Sequence, residues 1–208
     1  LASGDQLSPR VRPVQRRAIA TFEHILDTAA ALLDEQGLDD FNTNLLAERA
    51  GVAVRSVYRY FPNKFAVFVA LAERDWQPWS PLYEHFLEQL AEPHTSALAA
   101  WDEFFDGWAG IVASSKSVAA LRRAFLAEPE LRGLDQAYVE EMAQQFAAAM
   151  KQRGLDLPED QLQTVGRLLM ETADAALDHA VRAHDCVPDR VREEIKLLHR
   201  SYLAHYTR

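Results

Sequence analysis

The 208-residue chain has one cysteine, Cys186. An intrachain disulfide is therefore excluded, and a cysteine-based metal site would lack its partners. The lone thiol is expected to be a small packing residue. No stretch approaches the roughly 20 apolar residues that a membrane-spanning helix needs; the best candidate, 98–113, is broken by Asp102, Glu103 and Asp106. The opening residues, LASGDQLSPRVRPVQRR, hold no apolar core of a secretion signal, so a cytoplasmic location is the expectation. The seven histidines do not gather at metal-ligand spacing, and His179 and His184 lie five apart, off a common helix face. Glycine-rich phosphate loop, nucleophile elbow and HExxH are all missing. The many carboxylates offer no pair to single out as catalytic. Neither an enzyme, a metal nor a cofactor is expected.

What the chain does have is an ordinary globular balance, 49% hydrophobic and 25% charged residues, with a net charge of −9 that is unevenly spread. Residues 1–64 carry 8 basic and 8 acidic side chains, whereas 65–208 carry 14 and 23. Half of the basic residues in that first part, Arg10, Arg12, Arg16 and Arg17, stand in its N-terminal arm. Such asymmetry suggests separate tasks for the two parts.

Strand-type alternation is not evident, and prolines and glycines fall mostly between segments of helical period. A first helix is expected over 16–36, with Phe22, Ile25, Leu26, Ala29, Ala30 and Leu33 as its stripe and Gly37 as its stop. Short helices follow at 43–50 and 53–61. A longer one starts near Asn63 and breaks around Pro78 and Pro81, because proline removes a donor and clashes with the preceding turn. Further helices are expected at 82–91, 95–114, 116–127, 130–153, 159–185 and 188–206. The fold class is all-α. A flexible basic arm (1–15) precedes a three-helix domain (16–62), and a larger bundle of about six helices (63–208) follows.

The stretch AGVAVRSVYRYFPNK, residues 50–64, is either a solvated helix surface or a surface shaped to meet a partner. On a helix advancing about 100° per residue, Val54, Val57 and Phe61 share one side, while Arg55, Ser56, Tyr58 and Arg59 lie on the other. The preceding helix ends in Leu46, Ala47 and Ala50, and Gly51 permits a tight turn. Two short helices joined by such a turn form the helix-turn-helix pattern, whose second helix enters the major groove of DNA. Arg and Ser can read base edges there, and Tyr, Lys and helix N-termini can bind phosphates.

The sequence LLAERAGVAVRSVYRYFPNKFAVFVAL resembles the DNA-binding domain of TetR-family transcriptional repressors. The matching residues are Leu46-Ala47, Ala50-Gly51-Val52, Tyr58-Arg59-Tyr60-Phe61 and Lys64, within about 50 residues from the first helix to Leu71. The remainder resembles the family in length and helical character alone. The resemblance implies a homodimer whose two recognition helices occupy successive major grooves of a palindromic operator. It places Thr43, Tyr58, Tyr60 and Lys64 at positions that commonly hold the phosphate backbone. Asn44, Val54, Arg55 and Ser56 match positions that commonly face base edges or the groove wall. Arg55 is the best candidate for a bidentate contact to guanine. Two departures matter: Ala53 stands where the family often caps the helix with Ser or Thr, and Arg55 where relatives often have Gly. The arm enters a minor groove, tracks phosphates or is disordered.

Eight of the 20 aromatic residues lie within 76–108. Trp101, Phe104, Phe105 and Trp108 fall on one helix face, which is either core or the wall of a pocket. Because many relatives release DNA when a small molecule binds this bundle, the resemblance favours a pocket for an apolar or aromatic effector. Trp76, Trp79, Tyr83, Trp101, Phe104, Phe105, Trp108, Phe125, Tyr138 and Met142 are its candidate lining, and Phe125, Tyr138 and Met142 form the wall opposite the stripe together with Phe146 and Met170. Asp102 and Asp106 either meet a cationic ligand or are solvated. The last two helices suit self-association, through Leu162, Val165, Leu169, Ala173 and Leu177 on one and Val191, Ile195, Leu198 and Tyr202 on the other. The leading reading is thus a ligand-responsive transcriptional repressor. The alternatives are a DNA-binding dimer without ligand response and a helical module that binds an acidic protein.

Overall fold

The computed structural model describes residues 7–38, 40–114, 116–184 and 186–207. These form ten helices: α1 (Arg16–Gln36), α2 (Thr43–Arg49), α3 (Val54–Tyr60), α4 (Lys64–Asp75), α5 (Trp79–Ala91), α6 (Ala97–Ser114), α7 (Lys116–Ala127), α8 (Pro129–Gln152), α9 (Glu159–His184) and α10 (Asp189–Tyr206). Among the described residues no helix is long and apolar enough to cross a membrane. The break expected near the prolines is there, but α5 begins earlier than 82, at Trp79. Pro78 precedes the helix and Pro81 sits in its first turn, where backbone N–H groups have no intrahelical acceptor to lose.

The chain divides into two compact units. The first comprises Leu1–Trp76 with Ser115–Asp135, the second Gln77–Ser114 with Gln136–Arg208. This differs from a division at residue 62. α4 supplies Ala66, Val67, Phe68 and Leu71 to the core of the first unit, and α7 adds Ala120, Leu121, Ala124 and Phe125. These apolar faces extend the interior built by Ile25, Leu26, Leu32 and Leu33 of α1, so burial keeps them together.

In the second unit α5, α6, α9, α10 and the later part of α8 surround an aromatic interior. Phe86 stacks on Phe104 at 4.7 Å between centroids, and Trp79 meets Trp108 at 4.8 Å. α5 and α6 approach closely because Gly107 has no side chain, and a Cβ there would lie 2.8 Å from Leu82 Cδ1. α6 and α10 are laced by Asp102–Arg200 and Asp106–Lys196, both 2.9 Å. Arg153 of the α8–α9 connection donates to the carbonyls of Leu90, Glu92 and Thr95, closing the end of α5.

Candidate nucleic-acid interface

The turn between α2 and α3 is built from three backbone bonds. Ala50 N–H donates to Leu46 O, Gly51 N–H to Glu48 O and Val52 N–H to Ala47 O. The last two are the paired bonds of a Schellman stop, which needs a left-handed residue, and Gly51 supplies it with φ +64°. At the start of α2, the Asn42 side chain accepts from Leu45 N–H. His24 of α1 reaches across to Ala50 O at 3.1 Å; the carbonyl accepts, so Nε2 carries the proton. Neither Asn42 nor His24 was singled out in the sequence. The Asn-Thr-Asn run held the signal for the cap, while His24 depends on a contact 26 residues away.

α3 is held from behind by Val57 and Phe61, both fully buried. Ala53 precedes it in an extended conformation without a side-chain cap. Val54 does not share the buried side with Val57 and Phe61. It is 40% exposed, beside exposed Arg55, Tyr58 and Arg59 and half-buried Ser56. Asn44 is exposed on α2. An apolar methyl pair, a guanidinium and a hydroxyl thus stand together on an outward surface, the set of side chains that a major groove accommodates.

The four residues expected at phosphates have divided surroundings. Tyr58 OH lies 3.0 Å from Thr43 Oγ1, which fixes both hydroxyls at the junction of α2 and α3. Tyr60 is only 4% exposed. Its ring meets Phe22 edge-on at 5.6 Å and its hydroxyl is 3.5 Å from Ala18 O, so it belongs mainly to the interior. Lys64 pairs with Glu128 at 3.2 Å, which draws its ammonium toward the protein.

The arm is not a loose segment over its described part. Leu7 is buried in the core, Arg10 bonds α3 and Arg12 pairs with Glu73 of α4. Residues 1–6 lie outside the described residues.

In the second unit, Trp79, Tyr83, Trp101, Phe104, Phe105, Trp108 and Met142 belong to one apolar cluster. Tyr83 donates to Met142 O at 2.8 Å, and burial pushes its phenol well above the ordinary range. The indole N–H groups of Trp79 and Trp101 are buried without a partner. Trp76 and Phe125 instead meet at 5.2 Å within the first unit, and Tyr138 is exposed. Asp102 and Asp106 are both paired with α10; Asp102 is half-buried, while Asp106 remains exposed to solvent. A cavity of about 560 Å³ is lined by Arg153, Asp156, Gln161 and His205 together with Leu155, Leu157 and Tyr206, and by none of the ten residues expected to line a pocket.

Leu162, Val165, Leu169, Ala173 and Leu177 are all 0–1% exposed within the single chain. They have no surface left for a second copy, so this face of α9 is the chain's own interior. Ile195 is also buried, and Val191 and Tyr202 are half-buried; Leu198, at 64% exposed, is open. Cys186 is exposed, because it falls in the connection between α9 and α10 and not on a packed helix face. No group of three or more His, Cys, Asp or Glu that could hold a metal occurs among the described residues.

The profile described as bacterial regulatory proteins, tetR family, matches residues 25–71, and that of the tetracyclin repressor-like C-terminal domain matches residues 98–203. The chain belongs to the TetR family. Within it, the chain is 34% identical over 73 residues to the transcriptional repressor KstR of Rhodococcus jostii, covering 35% of this chain and 32% of KstR. It is 42% identical over 67 residues to the nucleoid occlusion factor SlmA of Haemophilus ducreyi, covering 32% and 33%. The alignments thus span about a third of these relatives. A TetR-family regulator from Streptomyces coelicolor is 26% identical, with a TM-score of 0.61 over 89% of this chain and 99% of its own. SmeT, the repressor of a Stenotrophomonas maltophilia multidrug efflux pump, shares the fold at 20% identity and a TM-score of 0.66, over 91% of both chains. SmeT is also known in complex with triclosan. The TetR relatives are regulators and not enzymes. The all-helical TetR fold, with its N-terminal helix-turn-helix, is the one described above.

Proposed function

We propose that the protein is a homodimeric repressor that reads a palindromic operator through α3 and is released by an apolar or aromatic small molecule. The observation that carries the DNA reading is the outward set Val54, Arg55, Ser56 and Tyr58 on a helix whose back is buried in a helix-turn-helix. Arg55 reads a base edge. Asn44 and Ser56 face bases or groove wall, while Thr43, Tyr58 and Lys64 hold phosphates. With the α9 stripe buried, association falls to outward residues such as Leu168, Leu197 and Leu198. Effector binding works as a population shift. It favours a dimer in which the two recognition helices no longer match a groove repeat of about 34–36 Å.

Titration against palindromic and random duplexes at several salt concentrations tests the DNA reading. Binding that weakens steeply with salt and prefers one sequence supports it. Arg55→Ala relaxes the preference, and equal affinity for all duplexes in the unsubstituted protein removes it. A second reading, a DNA-binding dimer without ligand response, is favoured by the close ring packing of Phe86, Phe104, Trp79 and Trp108. Against that, the unpartnered indole N–H groups of Trp79 and Trp101 suit a ligand bearing an acceptor. Triclosan serves as the probe. Loss of operator binding with a change in tryptophan fluorescence supports release, and unchanged binding leaves the second reading.

A further inference from the structure

The recognition helix has only seven residues and no side-chain cap at its start. A helix this short does not hold itself in water and takes its geometry from its neighbours. Packing of Val57 and Phe61 fixes its back. Its C-terminal end has carbonyls with no partner inside the helix, a cost unless something else donates to them.

That donor is Arg10. Its backbone N–H bonds Tyr60 O at 2.7 Å, and its guanidinium Nη1 donates to Tyr58 O at 3.2 Å. Val57 O is taken by Phe61 N–H. The arm is anchored on both sides of this contact, by buried Leu7 before it and by the Arg12–Glu73 pair after it. A cation at the C-terminal end also opposes the partial negative charge of the helix dipole. Tyr58 is therefore held twice, at its carbonyl by Arg10 and at its hydroxyl by Thr43. By contrast, the side chains of Arg16 and Arg17 are exposed at the start of α1 and have no bonding partner among the described residues.

We propose that Arg10 is a positioning residue for operator reading: it clamps the C-terminal turn of α3 and does not bind the DNA backbone. The inference rests on the DNA reading above and assigns the arm a task inside the protein. While Arg10 holds α3, Arg55 and Ser56 are presented at one fixed tilt. Without it the last turn frays and the fit to base edges loosens, although the phosphate-binding charges remain. The clamp thus raises discrimination between sequences more than it raises affinity for DNA in general.

The experiment uses the full chain. A palindromic duplex is first recovered by selection from a randomised pool with the unsubstituted protein. Anisotropy titrations then compare it with a scrambled duplex of equal length over a range of salt. Arg10→Ala is expected to weaken the selected duplex about tenfold, the order expected for losing one charged hydrogen bond. Binding to the scrambled duplex and the salt slope should stay as they were. Arg10→Gln keeps a donor without the charge, and should recover at least half of the lost preference at the same slope. It also decides the matter if the alanine variant folds poorly. Equal losses on both duplexes, with the slope reduced by about one in both variants, identify a direct phosphate contact and overturn the clamp. Undiminished preference in Arg10→Ala overturns it as well. If the unsubstituted protein yields no preferred duplex, the DNA reading itself fails, and the clamp's role in it falls for that separate reason.

Discussion

The hydroxyl of Tyr58 lies 3.0 Å from Thr43 Oγ1, so the outward edge of the recognition helix is tied to the first turn of the helix before it. Tyr58→Phe and Thr43→Val each remove the same bond. Each is expected to cost about 0.5–1.5 kcal/mol of stability, and the double variant little more than either alone. A double-mutant cycle by urea denaturation measures this coupling. Additive losses would show that the two hydroxyls do not depend on each other.

Gly51 turns the chain with φ +64°, and a Cβ built there would meet nothing within 4 Å. Gly51→Ala therefore pays no steric clash with neighbours, only the backbone cost of a left-handed residue, about 1–2 kcal/mol. The expected outcome is a lower urea midpoint with an unchanged slope. A stability equal to that of the parent would mean that the turn adopts another conformation.

Lys64 is shared between Glu128, 3.2 Å away, and any phosphate it meets. Glu128→Gln removes the competitor and should raise affinity for every duplex about twofold, in keeping with the small worth of a partly exposed pair. Lys64→Ala should weaken all duplexes similarly. A change in sequence preference from either substitution would contradict the phosphate role.

Burial lowers the pKa of His199 from its ordinary 6.5. Its Nδ1 donates to Ile195 O and its Nε2 accepts from Thr172 Oγ1, both at 2.9 Å. The folded protein keeps this ring neutral, whereas the unfolded chain protonates it below about pH 6.5. Stability from this group is complete above that pH and is lost as pH falls toward the lowered folded value. Melting temperatures at pH 7.5 and 5.5 should therefore differ more for the parent than for His199→Gln.

Trp101 is fully buried, yet its indole N–H has no acceptor. Trp101→Phe loses some packing but also removes the unsatisfied donor, and should cost clearly less than Trp101→Ala, for which about 3–5 kcal/mol is typical. Equal costs in guanidinium denaturation would mean that the N–H is satisfied by water.

Much of this architecture was legible in local signals. Gly37 and Gly51 stop helices where expected, and the Ala50-Gly51-Val52 turn announces its own geometry. What local signals do not contain is which partner covers a face. Tyr60 stands at the margin of its helix's apolar side, and residues far off in sequence, Ala18 and Phe22 of α1, help to make it interior. The α9 stripe reads as apolar whether its own chain or a second copy covers it, and burial within one chain decides for the former. Trp76 is close in sequence to the other tryptophans, but its neighbour Phe125 comes with α7.

The chain leaves the first unit after Trp76 and returns to it at 115–135. The half that bears the recognition helix is thus not a contiguous cassette. A fragment cut at residue 62 or 76 would expose the apolar surface that Leu121, Ala124 and Phe125 cover. A chimaera that transplants only the N-terminal segment would inherit the same defect. Grafting this reading head onto another regulator requires carrying α7 with it, so the two segments must change together for either to remain folded.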